Sequence, residues 1–469
     1  MIQRAPKVDC GPSLGLNSGT STAQANATLV GPPPRSRART SAGPARKMNS
    51  ATLSRFARNL KVVFALLIPC AGDAGTIPLV RIGIAPEVTA ATLRCDGSWG
   101  VGVVGGRGAV EEIPSGAAWV ASAEGDRLTM RDHTGAMRGG SSDTLYFFPA
   151  SRNEDSIEVE GKSFRGEMLV FAAGGGRVTV VNVVDLESYL RGVLPAEIGG
   201  GGSDRVEAIK AQAVAARSYT LAYLNRWRPR GFDLLATVED QVYTGIAGER
   251  RDTDLALRDT RGVIAMSGGR PIEAYYSSTC GGMAAAPEEV WARPSRSYLK
   301  VHQDAPHEGA KAFCSLSPQH RWTEHWSAPA LEKILKRSLP AVLGAKNPEE
   351  WGRLSDLKLV ERSESQRAKE LQVVFEKKRF SIGGDQIRWI LRRPEGGSLK
   401  SAWILKIHTS RRKGRLRAVS IDGAGYGHGI GLCQFGAIGM ALDGYDYRQI
   451  VEFYYHGVRL LRAYDQWPG

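Results

Sequence analysis

From Ser203 to Trp227 the chain reads as one long helix, and no face of it is suited to water. Asp204 and Glu207 are spaced as a capping box, and a dense run of alanine follows them. At about 100° per residue, Val206, Val214, Leu221 and Leu224 fall on one stripe, with Lys210 and Arg217 in its middle. The opposite face carries Ala211, Ala215 and Ala222. Neither side looks like a plain solvated surface. Charges on an apolar stripe must snorkel, pair with carboxylates or face a ligand. Glu187, Glu207 and Glu239 are the available partners, and ligand contact satisfies the same desolvation constraint.

Short alternating runs precede this helix: Leu79 to Ile84, Gly97 to Val103, Leu128 to Met130, Leu145 to Phe148, Met168 to Phe171 and Arg177 to Val184. Period-2 segments punctuated by glycine predict an antiparallel, β-rich region. After the helix, Gly262 to Gly282 reads as strand, turn and strand. Residues 318–400 are more charged, with an amphipathic run from Leu331 to Leu343 and strand-like segments at Leu371 to Phe375 and Trp403 to Ile407, which predicts an inserted α+β subdomain. A short helix from Tyr447 to His456 is ended by Gly457. The fold class is therefore α+β, a mostly antiparallel core with a central helix plus the insertion. The expected parts are 75–165 (β-rich), 166–317 (first part of the core), 318–400 (insertion) and 401–469 (C-terminal part of the core).

The beginning of the chain has a different texture. Residues 1–47 hold seven Lys/Arg against one Asp, so about +6 of the formal +14 lies there and about +8 in the remainder. That segment is rich in Ser, Gly, Pro and Arg, too poor in apolar residues to fold. Met48 opens a second possible start: a positive region with Arg55, Arg58 and Lys61, an apolar run from Val62 to Ile68 and a small-residue exit read as a signal peptide over 48–74. The run is too short to span a bilayer. Export would remove Cys10 and Cys70 and leave Cys95, Cys280, Cys314 and Cys433. Cys280 and Cys314 could then form a disulfide, remain free thiols or, with His302, His307 or His320 nearby, hold a metal.

Two segments carry candidate chemistry. In Leu186 to Ile198, Glu197 follows Pro195 by two residues and stands among apolar neighbours. Burial penalises a charged carboxylate, so such an acid can hold a proton near neutral pH. Pro195 is expected to bias Leu194 toward an extended conformation and so fix the acid. Near the far end, Gly423 to Ala437 is glycine-rich, but no Gly-Lys-Ser/Thr follows and no βαβ context precedes it, which excludes a phosphate loop or a dinucleotide site. What remains is His428 between glycines, where a ligand can approach backbone and imidazole together.

Taken in order, Asn182 to Glu197, Ala208 to Thr220, Ser277-Ser-Thr-Cys-Gly-Gly282 and Gly427-His-Gly-Ile-Gly-Leu-Cys-Gln-Phe-Gly-Ala437 resemble the SpoIID/LytB family, and Ile450 to Gly457 is similar to its closing motif. The resemblance covers about 165–310 and 400–462. It implies binding to bacterial peptidoglycan, either as a lytic transglycosylase or as an amidase enhancer. Carried onto this sequence, it makes Glu197 the catalytic acid/base. Lys210, Arg217, Tyr219, Ser277, Ser278, His428 and Gln434 become glycan-contacting residues, with Lys210 and Arg217 on the lactyl carboxylate of muramic acid. The implied partners are glycan strands and a cell-wall amidase, in the periplasm, cell envelope or outside the cell. Nucleic acid is not expected, and the membrane only through the export signal. No cofactor is expected; zinc at Cys280 and Cys314 is the minority option, since the zinc ligands of some family members have no match here. Cys433 stands where many relatives have serine.

Overall fold

A computed structural model describes residues 76–464, apart from 98, 104–110, 114, 133, 139–143 and 150–155. The basic segment 1–47, the start at Met48, the signal peptide at 48–74, Cys10 and Cys70 lie outside the described residues. Among the described residues no helix is long and apolar enough to cross a membrane.

The chain is α+β, with most strand pairs antiparallel. Leu79–Val88 and Arg177–Asp185 are the second and third strands of a seven-stranded sheet, followed by Glu167–Gly174, Thr144–Pro149, Trp99–Val103 and Glu111–Ile113 on one side and edged by the short parallel strand Leu234–Leu235 on the other. A six-stranded sheet built on Ala90–Asp96 and Ala118–Glu124 covers it. Alternation sets which side chains meet between them: in Ala90–Asp96 every second residue is buried, and Leu93, Cys95, Trp119, Met130, Phe147 and Val180 share one core. Strand Arg177–Asp185 is buried on both faces, because Val181 and Val183 pack on Phe232 and Leu235 on the side away from that core.

That strand delivers the chain straight into helix α1, Leu186–Glu197, capped by Asp185, whose Oδ1 accepts from the Ser188 amide at 2.9 Å. Here an expectation fails. Leu194 is helical and buried, and Pro195 sits inside the last turn. A proline there forfeits one amide bond, and burial of Leu186, Tyr189, Leu190, Val193 and Leu194 outweighs that loss. Gly192 lets the helix rest on the Tyr243 ring, since a Cβ at that position would come within 2.6 Å of it.

Helix α2 runs over Val206–Ala222, shorter than expected at both ends. A 3-10 turn at Ser203–Arg205 precedes it, no side chain caps it, and the chain turns away at Asn225, whose φ is +65°. The Asp233 carboxylate holds that turn, accepting from the Asn225 amide at 2.9 Å while pairing with Arg81. Twelve of its 17 residues are buried, which makes it central as expected. Around it lie α1, helix α3 (Arg251–Asp259), strand Val263–Ser267, and two helices from the far end of the chain. Val263–Ser267 turns through Gly268 and Gly269 into Arg270–Pro271 and pairs on its other edge with Arg459–Arg462.

The insertion has its own core. Strand Arg321–Ser327, helix α4 (Ala328–Leu343) and the sheet Leu354–Arg362, Ala368–Phe375 and Arg379–Gly383 bury Trp322, Leu331, Leu335, Leu371 and Val373 together. Strand Ile404–Arg412, whose first residues the sequence pattern already groups with the insertion, and strand Arg415–Ala424 share this core: Ile404, Val419 and Ile421 complete it, and Arg415–Ala424 pairs with Arg321–Ser327 from Arg321↔Ala424 onward. The strands packed on this core thus run to Ala424. After it come strand Leu432–Cys433, paired in parallel with Tyr276–Ser277, and helices α5 (Gln434–Leu442) and α6 (Tyr447–Tyr454), which pack on α2.

Gly192→Ala is expected to cost about 1–3 kcal/mol by overpacking against Tyr243. Gly102→Ala, where nothing lies within 4 Å of the new Cβ, should stay within about 0.5 kcal/mol of the parent. Denaturant midpoints of the two variants check the difference.

Candidate active site

The two cations on the central helix have found carboxylates. Arg217 is fully buried and grips Glu187, equally buried, in a two-pronged pair of 2.8 Å (Nε to Oε1) and 2.9 Å (Nη2 to Oε2). Its Nη1 donates to the Val263 carbonyl at 3.0 Å, and Glu187 also accepts from the Tyr464 hydroxyl at 2.6 Å and the Gly262 amide at 3.3 Å. Burial alone would push the Glu187 carboxyl up, but Arg217 and these donors hold it below its ordinary value. Lys210 pairs with Glu207 at 2.9 Å and with Asp259 at 3.5 Å. Neither is placed as a glycan ligand: Arg217 has no exposed atom, and Lys210 is held by two carboxylates. Tyr219 is likewise inside, its hydroxyl donating to Asp240 and accepting from Arg226.

Glu197 closes helix α1, half-buried, with Oε1 accepting from the Val242 amide at 2.9 Å. The Gln434 side chain, from the first turn of α5, is its second partner. Burial raises its pKa, and these two donors offset that only in part. Behind it, Gln241 donates to the Tyr276 hydroxyl at 3.0 Å and accepts from Thr220 at 2.7 Å and Tyr189 at 3.3 Å, a polar layer that locks the surroundings of the acid. Asp240 is occupied elsewhere, by Arg226, Trp227 Nε1 at 2.8 Å and the Leu235 amide at 2.8 Å. Glu197 is thus a carboxyl raised in pKa and backed by this polar layer, on the rim of the core.

The glycine-rich segment reaches the same region through the strand pair Tyr276–Ser277 and Leu432–Cys433. Ser277 Oγ accepts from the Gly429 amide at 3.1 Å, and the Ser278 carbonyl from Phe435 at 3.0 Å, so both serines anchor this loop. His428 Nδ1 accepts from the Ile430 amide at 3.0 Å, which leaves its proton on Nε2. The ring lies 4.8 Å from that of Trp291 and 6.3 Å from that of Tyr275. Burial brings its pKa down to about 4. Tyr223, Tyr275 and Trp291 continue the aromatic surface, with the Tyr223 and Tyr275 hydroxyls in contact. Arg293 lies over Trp291 and donates to the Tyr275 hydroxyl at 2.8 Å, and among the described residues it makes no ion pair. The sequence reading did not single out Tyr275, Trp291 and Arg293. The available signal was an aromatic and a cation two residues apart in a loop, without the periodicity that marks a core.

Cys280 and Cys314 are buried free thiols whose sulfurs lie 3.7 Å apart, so the disulfide considered from sequence is not formed here. Asp304 and Cys433 complete a buried cluster with them.

Residues 174–266 match the family of stage II sporulation proteins named SpoIID, and residues 314–431 match a domain of unknown function, DUF8618. An uncharacterized protein of Brachyspira hyodysenteriae is 27% identical over 66% of this chain and 75% of its own length. The amidase enhancer of Bacillus subtilis is 28% identical over 58% of this chain; the match spans 40% of that protein, less than half of it. Stage II sporulation protein D of Bacillus subtilis is 24% identical over 60% of this chain and 76% of its own length.

Glu187→Gln strands the Arg217 charge in the core and is expected to destabilise the chain by about 3–5 kcal/mol, read by denaturant unfolding. His302, His320 and His428 have pKa values lowered from 6.5 to about 4 by burial. The unfolded chain therefore takes up protons on these groups first, and stability should fall as pH drops from 6.5 toward 4. Melting temperature against pH checks this; a flat profile across that window would contradict the burial of the three rings.

Proposed function

We propose, from the likeness to SpoIID proteins and to an amidase enhancer and from the setting of Glu197, that the chain is an exported lytic transglycosylase of peptidoglycan glycan strands. The observation that carries the reading is the half-buried Glu197 carboxyl with a raised pKa, backed by the Gln241 layer and partnered by Gln434. Ordinary glycosidases use two carboxyl groups. One suffices when the nucleophile is the sugar's own C6 hydroxyl.

Protonated Glu197 gives its proton to the glycosidic oxygen as the bond to the muramic acid C1 breaks. The carboxylate then takes the proton of the C6 hydroxyl as that oxygen bonds to C1, which closes a 1,6-anhydro ring and regenerates the acid without water. The Val242 amide stabilises the carboxylate form between the two steps. The partly exposed ring of Trp291, backed by the buried Tyr275, suits the apolar face of a sugar ring. Arg293 offers the cation for the lactyl carboxylate, the task that Lys210 and Arg217 cannot perform from their ion pairs.

A second reading is a glycan-binding amidase enhancer, favoured by the likeness to the protein of that name. It uses the same surface, needs no proton transfer, and makes a cell-wall amidase the partner.

Glu197→Gln is expected to reduce release of anhydro-sugar products from denuded glycan by two to four orders of magnitude while retaining binding. Undiminished release would remove Glu197 as the acid, and no anhydro product from the parent chain, with binding intact, would select the enhancer. Because the acid must be protonated, the rate should fall as pH rises through its raised pKa. Arg293→Ala is expected to raise KM ten- to a hundredfold, the effect of losing a charge-assisted hydrogen bond of about 1.5–3 kcal/mol, with little change in kcat.

A further inference from the structure

We propose that Cys280, Cys314, Cys433 and Asp304 form a closed structural metal site whose ion is zinc. One ligand atom from each of the four lies within 4.8 Å of every other, and all four residues are fully buried. A tetrahedral zinc site with bonds of about 2.3 Å to sulfur has sulfur–sulfur edges of about 3.8 Å. The 3.7 Å between Cys280 and Cys314 fits that edge. It is far longer than the disulfide bond of about 2.05 Å.

Backbone donors converge on the sulfurs. Three backbone amides point at the sulfurs: Cys280 N at Cys433 Sγ (3.1 Å), Gly436 N at Cys433 Sγ (3.3 Å) and Gly282 N at Cys280 Sγ (3.4 Å). Cys433 is also the N-cap of α5, where the helix favours negative charge. Asp304 is oriented by donors of its own, Tyr454 at 2.6 Å on Oδ1 and the Cys314 amide at 2.9 Å on Oδ2, which leaves a lone pair on each oxygen.

An independent observation is the buried cation beside the cluster. Arg367 is 3% exposed, donates to the carbonyls of Cys280 (3.0 Å) and Met283 (3.1 Å), leaves its Nε without a partner and makes no ion pair with a carboxylate among the described residues. Three thiolates and a carboxylate around a divalent ion carry two net negative charges, and Arg367 supplies compensation that neutral thiols do not require. A cavity of about 420 Å³ is lined by Gly281, Gly282, Ala312 and Ser315, chain neighbours of Cys280 and Cys314, and by His320. His320 Nδ1 stands 3.4 Å from Cys314 Sγ, placed to support that sulfur from outside the tetrad. Closed coordination by soft ligands with no open position selects zinc in a structural role over an oxygen-seeking cation. On binding, the three cysteines release their thiol protons to solvent.

The test uses the full chain, reduced, stripped with chelator and titrated with zinc chloride. The expected result is one zinc ion per chain, protection of three thiols from alkylation and a higher melting temperature. Cobalt(II) loading should give thiolate-to-metal charge-transfer absorption with a tetrahedral ligand field. Cys433→Ser and Asp304→Asn should each weaken zinc binding at least about tenfold. No uptake by the reduced chain, cobalt spectra without thiolate bands, or unchanged affinity in both variants overturns the site. The cobalt spectrum decides the matter without variants if either fails to fold. None of these readouts involves glycan, so a chain that binds zinc but cuts nothing refutes only the transglycosylase.

Discussion

The buried pair of Arg217 and Glu187 is what the site depends on. Glu187 lies at the start of the helix that Glu197 ends, and Arg217 lies on the central helix. The same few atoms also bind Gly262, Val263 and Tyr464, so two helices, the middle strand of a small sheet and the last described residue converge on one fully desolvated charge pair. Two charges in a core are tolerable only when every donor and acceptor is satisfied, and here the guanidinium fork and the carboxylate both are. The pair therefore fixes the direction of α1, and with it where the Glu197 carboxyl emerges.

The acid itself works on the opposite principle. Glu187 faces a cation and is held ionised; Glu197 faces two neutral donors and a polar layer with no positive charge, so burial prevails and the proton is held more tightly. Two glutamates ten residues apart on one helix are thus driven in opposite directions by their partners. A nearby cation at Glu197 would abolish the acid. The commitment of Lys210 and Arg217 to other carboxylates is in that sense a condition of the chemistry rather than a lost substrate contact.

How much of this can be read from sequence depends on the range of the interaction. The alanine-rich segment announces a helix with no plainly solvated side, and the alternation in Leu79 to Val184 announces strands, because both signals are local periodicities. That Lys210 and Arg217 need partners is equally local, since desolvation alone demands it. Which partner they take is not, for Glu187 is 30 residues from Arg217 and an anionic ligand would satisfy the same rule. That the strands on the insertion's core run to Ala424 also escapes, because pairing of Arg321 with Ala424 is a register across a hundred residues that no window contains. Pro195 misleads for the same reason: its local preference is overridden by the burial of Leu190, Val193 and Leu194.

The paired ends of the insertion explain how the core accommodates it. Arg321–Ser327 and Arg415–Ala424 leave and return side by side, so the main chain on either side meets as though joined by a short loop, and length inside it carries little entropic penalty. The cysteine cluster straddles this junction. Cys280, Asp304 and Cys314 precede the insertion, Cys433 follows it, and Arg367 reaches in from the insertion itself. A metal at the four ligands would tie the two halves of the core across the gap that the insertion opens, and would hold Cys433 at the head of the helix that presents Gln434 to Glu197. The position of the acid's second hydrogen-bond donor is thereby coupled to a site one residue away, so an ion with no part in the proton transfer can still set the geometry in which it occurs.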